Sequence, residues 1–218
     1  MEPHPLPWPR KRFFRAFSRV FLRAVFRLLA RVEVTGEENL PAAGPLIVAG
    51  NHASFLDVLL MIAFGPKRLE LIGTGDIPMD PSYAWIAGFY GFIPVKRGSM
   101  DSQSIRMSIG VLEQGGFLGI FPQGGIWDQR RTRAQKGVAW ISAASGAPVL
   151  PMGFGWAKGA FGAIFSFKFP RLTVGIGPVI RALTGAGGGE PRKDALDACA
   201  ERVMNAVEGL IPGDLRPG

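Results

Sequence analysis

The residues best suited to chemistry lie in the stretch NHASFLD, residues 51–57. It contains His52, one of two histidines in the chain, and Asp57 five residues later. The apolar run PLIVAG before it is typical of a buried strand, so the histidine stands where a sheet opens to ligands. An aspartate that accepts the Nδ1 proton would fix the imidazole tautomer and leave Nε2 free as a general base. These seven residues alone fit a structural histidine that caps the strand equally well.

No protein nucleophile accompanies this pair. Ser54 is the only hydroxyl in the stretch, and the sequence contains no G-x-S-x-G motif that would expose a serine for acyl-enzyme chemistry. The hydroxyl that His52 deprotonates would therefore have to belong to a substrate.

Three turn-like motifs follow NHASFLD along the chain. In GFIPVKRG, residues 91–98, two cations and a glycine come after a strand pattern, a setting that can bind an anion or form a solvated loop. In IFPQGGIW, residues 120–127, a buried strand runs into a glycine turn that a ligand could approach closely. In VLPMGF, residues 149–154, we expect Pro151 to break a strand, and we expect a structural role.

Taken together and in this order, the four motifs resemble those of the glycerolipid acyltransferase family, which includes bacterial 1-acylglycerol-3-phosphate acyltransferases. The resemblance covers residues 32–181. It implies transfer of a fatty acyl group from a thioester of coenzyme A or acyl carrier protein to a lipid hydroxyl, without a covalent acyl-enzyme. His52 would take the hydroxyl proton, Asp57 would orient and stabilise the imidazolium, and backbone amides or cations would stabilise the oxyanion.

The resemblance also implies a binding site for the acceptor and its phosphate. The residues that we assign to it are Asn51, Lys96, Arg97, Gly98, Gln123, Gly124, Arg130 and Arg131.

The third motif departs from the family pattern. Family members usually have Glu, Gly, Thr and Arg after the Phe-Pro pair, whereas this chain has Gln, Gly, Gly and Ile at residues 123–126. Losing an arginine fork to a phosphate removes charge-assisted hydrogen bonds worth about 1.5 to 3 kcal/mol each. Either Arg130, Arg131 or Arg133 supplies the missing cation, or the acceptor is a glycolipid, lipid alcohol or other lysolipid without a phosphomonoester. The apolar Ile126 and Trp127 favour the second explanation.

Two other classes of function stay open, and two are disfavoured. A non-catalytic membrane-binding module would fit the altered third motif, and a thioester hydrolase would use His52 to activate water. The Gly-x-Gly pairs lack the third glycine of a dinucleotide fingerprint, and two histidines with one cysteine offer no zinc cluster. We therefore expect neither a cofactor nor a metal ion.

The positive charge of the chain is concentrated near its start. The net charge is +8, and eight Lys or Arg residues with no acid lie within residues 10–31, so the remaining charges balance. Basic residues recur every four positions there and phenylalanines and leucines fill the other side, which predicts an amphipathic helix. No run reaches the ~18 to 20 uncharged apolar residues of a membrane span.

This segment predicts contact with an anionic membrane surface, with the apolar side in the bilayer and the arginines at the phosphates. The alternative is a helix packed on the domain with its arginines in water. Nucleic acid is a poorer partner because no basic patch recurs elsewhere. A signal peptide is disfavoured because arginines interrupt the apolar region. With Cys199 as the only cysteine, we expect a peripheral or monotopic protein at the cytoplasmic face of a membrane.

Short apolar strands alternate with helical patterns through the rest of the chain, which predicts a single α/β domain with a mostly buried mixed sheet flanked by helices. We expect a membrane-associating segment at 1–31, an acyltransferase domain at 32–184, and a glycine-rich linker with a docked C-terminal helix at 185–218.

Overall fold

A sheet of parallel strands with one antiparallel neighbour organises the molecule. The computed structural model describes residues 8–74, 88–95, 102–123, 136–182 and 192–216. The strands within these ranges are β1 (Arg31–Thr35), β2 (Leu46–Gly50), β3 (Glu70–Thr74), β4 (Ile93–Val95), β5 (Phe117–Ile120), β6 (Val149–Trp156) and β7 (Arg171–Ile176). The helices are α1 (Arg12–Leu29), α2 (Phe55–Phe64), α3 (Ser102–Glu113), α4 (Gly137–Ser145), α5 (Ala160–Phe165) and α6 (Lys193–Gly209).

The strands lie in the order β1-β7-β6-β2-β5-β3-β4. Neighbouring strands are parallel except for β6 and β7, which pair antiparallel with Met152 opposite Ile176. This confirms the predicted mixed sheet. Because β2, β5 and β6 are parallel to one another, their carboxyl ends meet at one edge of the sheet, which is where open α/β sheets bind ligands.

Both faces of the sheet are covered, as the uninterrupted apolar strand sequences require. On β2, Leu46 and Val48 point into a cluster formed with α1, α2 and α5, whereas Ile47 and Ala49 point into a cluster formed with α3, α4 and α6. All five residues of β2 are buried. The helices therefore form two layers around one sheet, and α2 holds the residues that follow β2 at the sheet edge.

Helix α1 corrects one part of the sequence interpretation. The amphipathic helix is present, but Arg15, Arg19 and Arg23 on its basic side face the protein, while Arg12 and Arg27 are exposed. Arg15 is fully buried, and its guanidinium forms an ion pair with the equally buried Glu70 at the start of β3. A buried carboxylate requires such a partner, and this explains why an arginine lies inside. Only part of the apolar surface of α1 is exposed, at Phe13, Phe17, Val20, Phe21 and Leu28.

No helix within the described ranges is both long and apolar enough to cross a bilayer.

Two further details differ from expectation. Pro151 does not break β6, which runs through it for eight residues. The proline lies at the end of the regular pairing with β7: its carbonyl accepts from the N–H of Gly177 at 2.9 Å, and only the return bond from its missing N–H is absent. Helix α5 has no counterpart among the predicted elements, because its six residues are too few for a clear helical period.

Some predictions fall on residues outside the described ranges. One of the helical patterns in the sequence, SYAWIAGFYG at residues 82–91, lies mostly there, and so does the glycine-rich part of the linker. The division of the chain at residues 31 and 184 stays a prediction. Helix α6 packs along β6, with Leu196, Ala200, Val203 and Val207 buried at the predicted helical spacing.

Candidate active site

The loop after β2 is held in place by side-chain bonds to the neighbouring strands. The amide of Asn51 donates to the carbonyl of Phe154 at 2.9 Å and accepts from the N–H of Phe154 at 2.7 Å. The next residue, His52, donates its backbone N–H to Oε1 of Gln123 at 2.5 Å. Asn51 thus ties the loop to β6, and Gln123 ties it to the turn after β5. We assigned both to substrate binding, but the contacts seen here position His52.

The imidazole of His52 lies between an aromatic ring and a carboxylate. Its ring stacks on Phe121, with centroids 4.3 Å apart and planes 23° from parallel. Nδ1 lies 3.8 Å from Oδ2 of Asp57, and the imidazole is 18% exposed. This distance is too long for a hydrogen bond, and Nδ1 is buried without a hydrogen-bond partner among the described residues. The predicted Nδ1–H bond to Asp57 is therefore not formed here, although the two groups are in electrostatic contact.

The carboxylate of Asp57 is fully buried and bonded to three other N–H donors. Oδ2 accepts from the backbone of Ala53 at 2.6 Å and of Ser54 at 2.8 Å, while Oδ1 accepts from Nε1 of Trp156 at 2.6 Å. Buried charge of this kind is stable only when it is well bonded. The three bonds explain why the carboxylate does not also reach Nδ1 of His52.

Helix capping explains the spacing of His52 and Asp57. Ser54 is the N-cap of α2, and its hydroxyl accepts from the N–H of Leu56 at 3.0 Å. Asp57 is the third residue of the helix and returns the bond to the N-cap backbone, which completes a capping box. A histidine two residues before the N-cap is thereby held beside a carboxylate in the first turn. The helix start fixes the geometry of the pair.

Sequence reasoning missed Trp156 and Phe121 as neighbours of the pair. Trp156 is 99 residues from Asp57, and its one sequence signal is its place at the end of a strand. Phe121 follows β5 directly, and its ring covers one face of His52.

The other predicted site residues lie outside the described ranges, so their binding roles stay predictions. They are Lys96, Arg97, Gly98, Gly124, Arg130 and Arg131. Within the described ranges, no group of three or more His, Cys, Asp or Glu side chains could hold a metal ion.

This arrangement can support proton transfer to or from a bound hydroxyl. The imidazole is mostly covered at the carboxyl edge of the sheet and stacks on Phe121. The buried carboxylate of Asp57 is close enough to interact electrostatically with an imidazolium formed during the reaction.

The sequence and the fold of this chain both match known proteins. A family model described as acyltransferase matches residues 31–155, which include His52, Asp57, Phe121 and Gln123 and end one residue before Trp156. The chain is 26% identical over 147 residues to a chloroplastic 1-acyl-sn-glycerol-3-phosphate acyltransferase of Arabidopsis thaliana, a match that covers 66% of this chain and 41% of the relative. It is 25% identical over 193 residues to the 1-acyl-sn-glycerol-3-phosphate acyltransferase of Bacillus subtilis, covering 87% of this chain and 92% of that protein.

A relative with a different acceptor also matches. The chain is 29% identical over 129 residues to the lyso-ornithine lipid O-acyltransferase of Pseudomonas aeruginosa, covering 58% of this chain and 48% of the relative. The chain spans about two fifths of the length of the chloroplast relatives it matches. Among solved structures, the 1-acyl-sn-glycerophosphate acyltransferase of Thermotoga maritima shares the fold, with a TM-score of 0.60 at 21% identity over 91% of this chain and 86% of that one.

Proposed function

This chain belongs to the acyltransferase family, and we propose that it moves a fatty acyl group from a thioester of coenzyme A or acyl carrier protein to the hydroxyl of a lysophospholipid such as 1-acylglycerol-3-phosphate. The observation that carries the proposal is the pair of His52 and Asp57 at the carboxyl edge of the sheet. Nδ1 of His52 lies 3.8 Å from Oδ2 of Asp57. The names of the Arabidopsis and Bacillus relatives support the acceptor.

In the proposed reaction, Nε2 of His52 takes the proton of the acceptor hydroxyl as its oxygen attacks the thioester carbonyl. An ester bond forms, the carbon–sulfur bond breaks, and the imidazolium returns the proton to the departing thiolate. Asp57 stabilises the imidazolium between these two steps without taking its proton. The reaction needs no covalent acyl-enzyme, cofactor or metal ion, so we expect a chelator to leave the rate unchanged.

The acceptor's phosphate would be bound by Lys96 and Arg97, with an arginine from residues 130–133 in place of the one replaced by Ile126. The second candidate is acyl transfer to a lipid without a phosphomonoester. The neutral Gln123 next to His52 and the match to a lyso-ornithine lipid O-acyltransferase favour this second candidate.

We also propose that the protein binds peripherally to the cytoplasmic face of an anionic membrane through residues 10–31. The exposed Phe13, Phe17 and Phe21 on α1 support this, since aromatic side chains of an amphipathic helix are stabilised in the lipid interface.

Mass spectrometry of the products separates these candidates. The purified protein is incubated on vesicles of phosphatidylcholine and phosphatidylglycerol with palmitoyl-coenzyme A and either lysophosphatidate or a mixture of lysolipids lacking a phosphomonoester. Acylated lysophosphatidate is expected, and product from the mixture alone would select the second candidate. Free fatty acid without acylated lipid would indicate a thioester hydrolase, and no turnover in any mixture would indicate a non-catalytic module; either result contradicts the proposal.

A further inference from the structure

The segment that ends α5 exposes an unusual concentration of aromatic surface. Phe165 is 69% exposed, Phe167 is 68% exposed and Phe169 is 46% exposed. Single apolar residues on a surface are ordinary, whereas three exposed phenylalanines within five residues form a patch of the kind that marks a binding surface. We refer to residues 161–169 as the aromatic turn.

The aromatic turn has a defined backbone. Its end is closed by three backbone hydrogen bonds, from Ser166 to Gly162 at 3.1 Å, from Phe167 to Ile164 at 3.2 Å, and from Lys168 to Ala163 at 3.0 Å. Phe167 and Phe169 have φ angles of 53° and 46°, a left-handed conformation that bulky residues rarely adopt. The hydrogen bonds order the backbone of the turn, and the rings of Phe167 and Phe169 are exposed on it.

The turn lies at the same edge of the sheet as His52. It follows β6, whose last residue Trp156 bonds to Asp57, and it precedes β7, which returns antiparallel. Its neighbour Pro170 accepts a hydrogen bond at 2.9 Å from Arg31, directly after α1. A flat surface that contacts the end of α1 and the aromatic turn would therefore lie close to the active site.

The charges around the turn suit an anionic surface. Lys158 and Lys168 are both exposed, and residues 157–170 contain no acidic side chain. We propose that the aromatic turn is a second membrane-binding surface, which inserts Phe165 and Phe167 into an anionic bilayer while Lys158 and Lys168 contact the headgroups. This inference does not depend on the proposed catalytic activity, because lipid binding is measured without turnover.

Vesicle partitioning tests the surface directly. Wild type and a Phe165→Ser/Phe167→Ser variant are mixed with vesicles of phosphatidylcholine and phosphatidylglycerol, and bound protein is separated by flotation. We expect the variant to partition about tenfold more weakly, because two partly buried phenylalanines leave the interface. Val179→Ser is the matched control: Val179 is 40% exposed but lies beside Ile180, which pairs with Val149 at the opposite sheet edge. It should bind as wild type does.

Two further measurements make the result specific. A Lys158→Glu/Lys168→Glu variant should lose about tenfold in binding to anionic vesicles and little on pure phosphatidylcholine. Partitioning of the phenylalanine variant equal to wild type, with unchanged thermal unfolding, would overturn the proposal. A lipid-free wild-type dimer that dissociates in this variant during sedimentation would also overturn it, because the patch would then be covered by a second copy of the chain.

A separate observation concerns Trp156. Its indole N–H donates to Oδ1 of Asp57 at 2.6 Å, while Nδ1 of His52 lies 3.8 Å from Oδ2. We infer that Trp156 is a positioning residue that holds the Asp57 carboxylate and draws its negative charge away from His52. Within the described ranges, Asp57 is the one charged group in ion-pair contact with the imidazole.

Removing the indole donor should strengthen the attraction between Asp57 and the protonated imidazole, because two backbone N–H groups still hold the carboxylate in place. In a Trp156→Phe variant, we expect the titration midpoint of His52, followed by NMR, to move to higher pH. The expected increase in proton affinity is about threefold. His4→Gln in every sample leaves one histidine signal.

Trp140→Phe, on the opposite face of the sheet, is the matched control and should leave the midpoint unchanged. An unchanged or lowered midpoint in a folded Trp156→Phe variant would overturn the inference. The role of Trp156 in catalysis rests on the proposed function. The titration needs no turnover, so a failure of the acyltransferase proposal and a failure of this inference are distinguishable.

Discussion

At the scale of single residues, Asp57 has two roles that are set by one geometry. Its carboxylate caps the first turn of α2 and lies beside the imidazole of His52, so its position follows from folding before any substrate binds. The capping box thus holds the carboxylate beside the imidazole. The same carboxylate therefore links local stability to chemistry.

Replacing Asp57 by Asn should affect both roles. The variant removes the charge and loses at least one of three N–H bonds. We expect acyl transfer to fall by about 10² or more and the free energy of unfolding to fall by about 1 to 3 kcal/mol. Initial rates and urea unfolding measure the two effects.

Ser54→Ala is the matched control, because it removes only the capping hydroxyl. It should cost about 1 kcal/mol of stability while retaining most activity. An Asp57→Asn enzyme with a rate within a few-fold of wild type would show that the charge does not assist His52.

The thiol of Cys199 should be nearly inert in the folded protein. Cys199 is buried on α6, and desolvation raises the pKa of its thiol, with Arg202 opposing the shift more weakly. Because the thiolate is the reactive form, we expect slow alkylation by iodoacetamide that becomes fast in denaturant. A raised pKa in the folded state stabilises the protein below the ordinary thiol pKa, and this contribution disappears as the pH rises. Alkylation as fast as that of free cysteine would contradict the buried placement.

At the scale of elements, the contact between α1 and β3 depends on a buried ion pair. Glu70 accepts from Arg15 Nη2 at 2.7 Å and from Arg10 Nη2 at 2.7 Å, and Arg15 also donates to the carbonyl of Gly91 at 3.0 Å. The helix is thereby attached to the strand that leads toward the second motif. The arginines on the inner side of α1 therefore attach the helix to the domain.

Arg15→Met should therefore destabilise the protein strongly. It leaves Glu70 buried with only the partly exposed Arg10 as a cation, so we expect a loss of about 3 kcal/mol or more in urea unfolding. The Arg15→Met/Glu70→Gln double variant should be less destabilised than the sum of its single variants. Additive losses would show that the pair is not energetically coupled.

The elements show clearly what the sequence could and could not predict. Apolar patterns predicted β2, β5 and α6, because each buries one continuous apolar set. Four-residue spacing predicted α1 but not which side faces inward, since that depends on Glu70, which is 55 residues from Arg15. Likewise, the spacing predicted that His52 and Asp57 would be close, but Trp156 and Gln123 reach the pair only through the strand order.

At the scale of the whole molecule, α1 is part of the folded domain as well as a proposed lipid contact. Its inner side packs on α2 and contributes Phe26 to the core. Deleting residues 1–30 should therefore abolish cooperative unfolding, because Glu70 loses its cations and α2 loses its cover. Near-ultraviolet circular dichroism during a thermal scan measures this.

The matched variant Phe13→Ser/Phe17→Ser changes only the exposed side of α1 and should keep the wild-type unfolding transition while weakening vesicle binding. If the truncated chain unfolds with the same cooperative transition as wild type, then α1 is not required for the fold of the domain.

The role of His52 as the general base is tested by measuring acyl transfer and vesicle binding in parallel, in wild type and in a His52→Ala variant. We predict that wild type forms acylated lipid, and that His52→Ala binds the same vesicles equally well but loses acyl transfer by about 10² to 10⁴. Acyl transfer by the folded variant at the wild-type rate would contradict the account, because the base at the edge of the sheet would then take no part in the reaction.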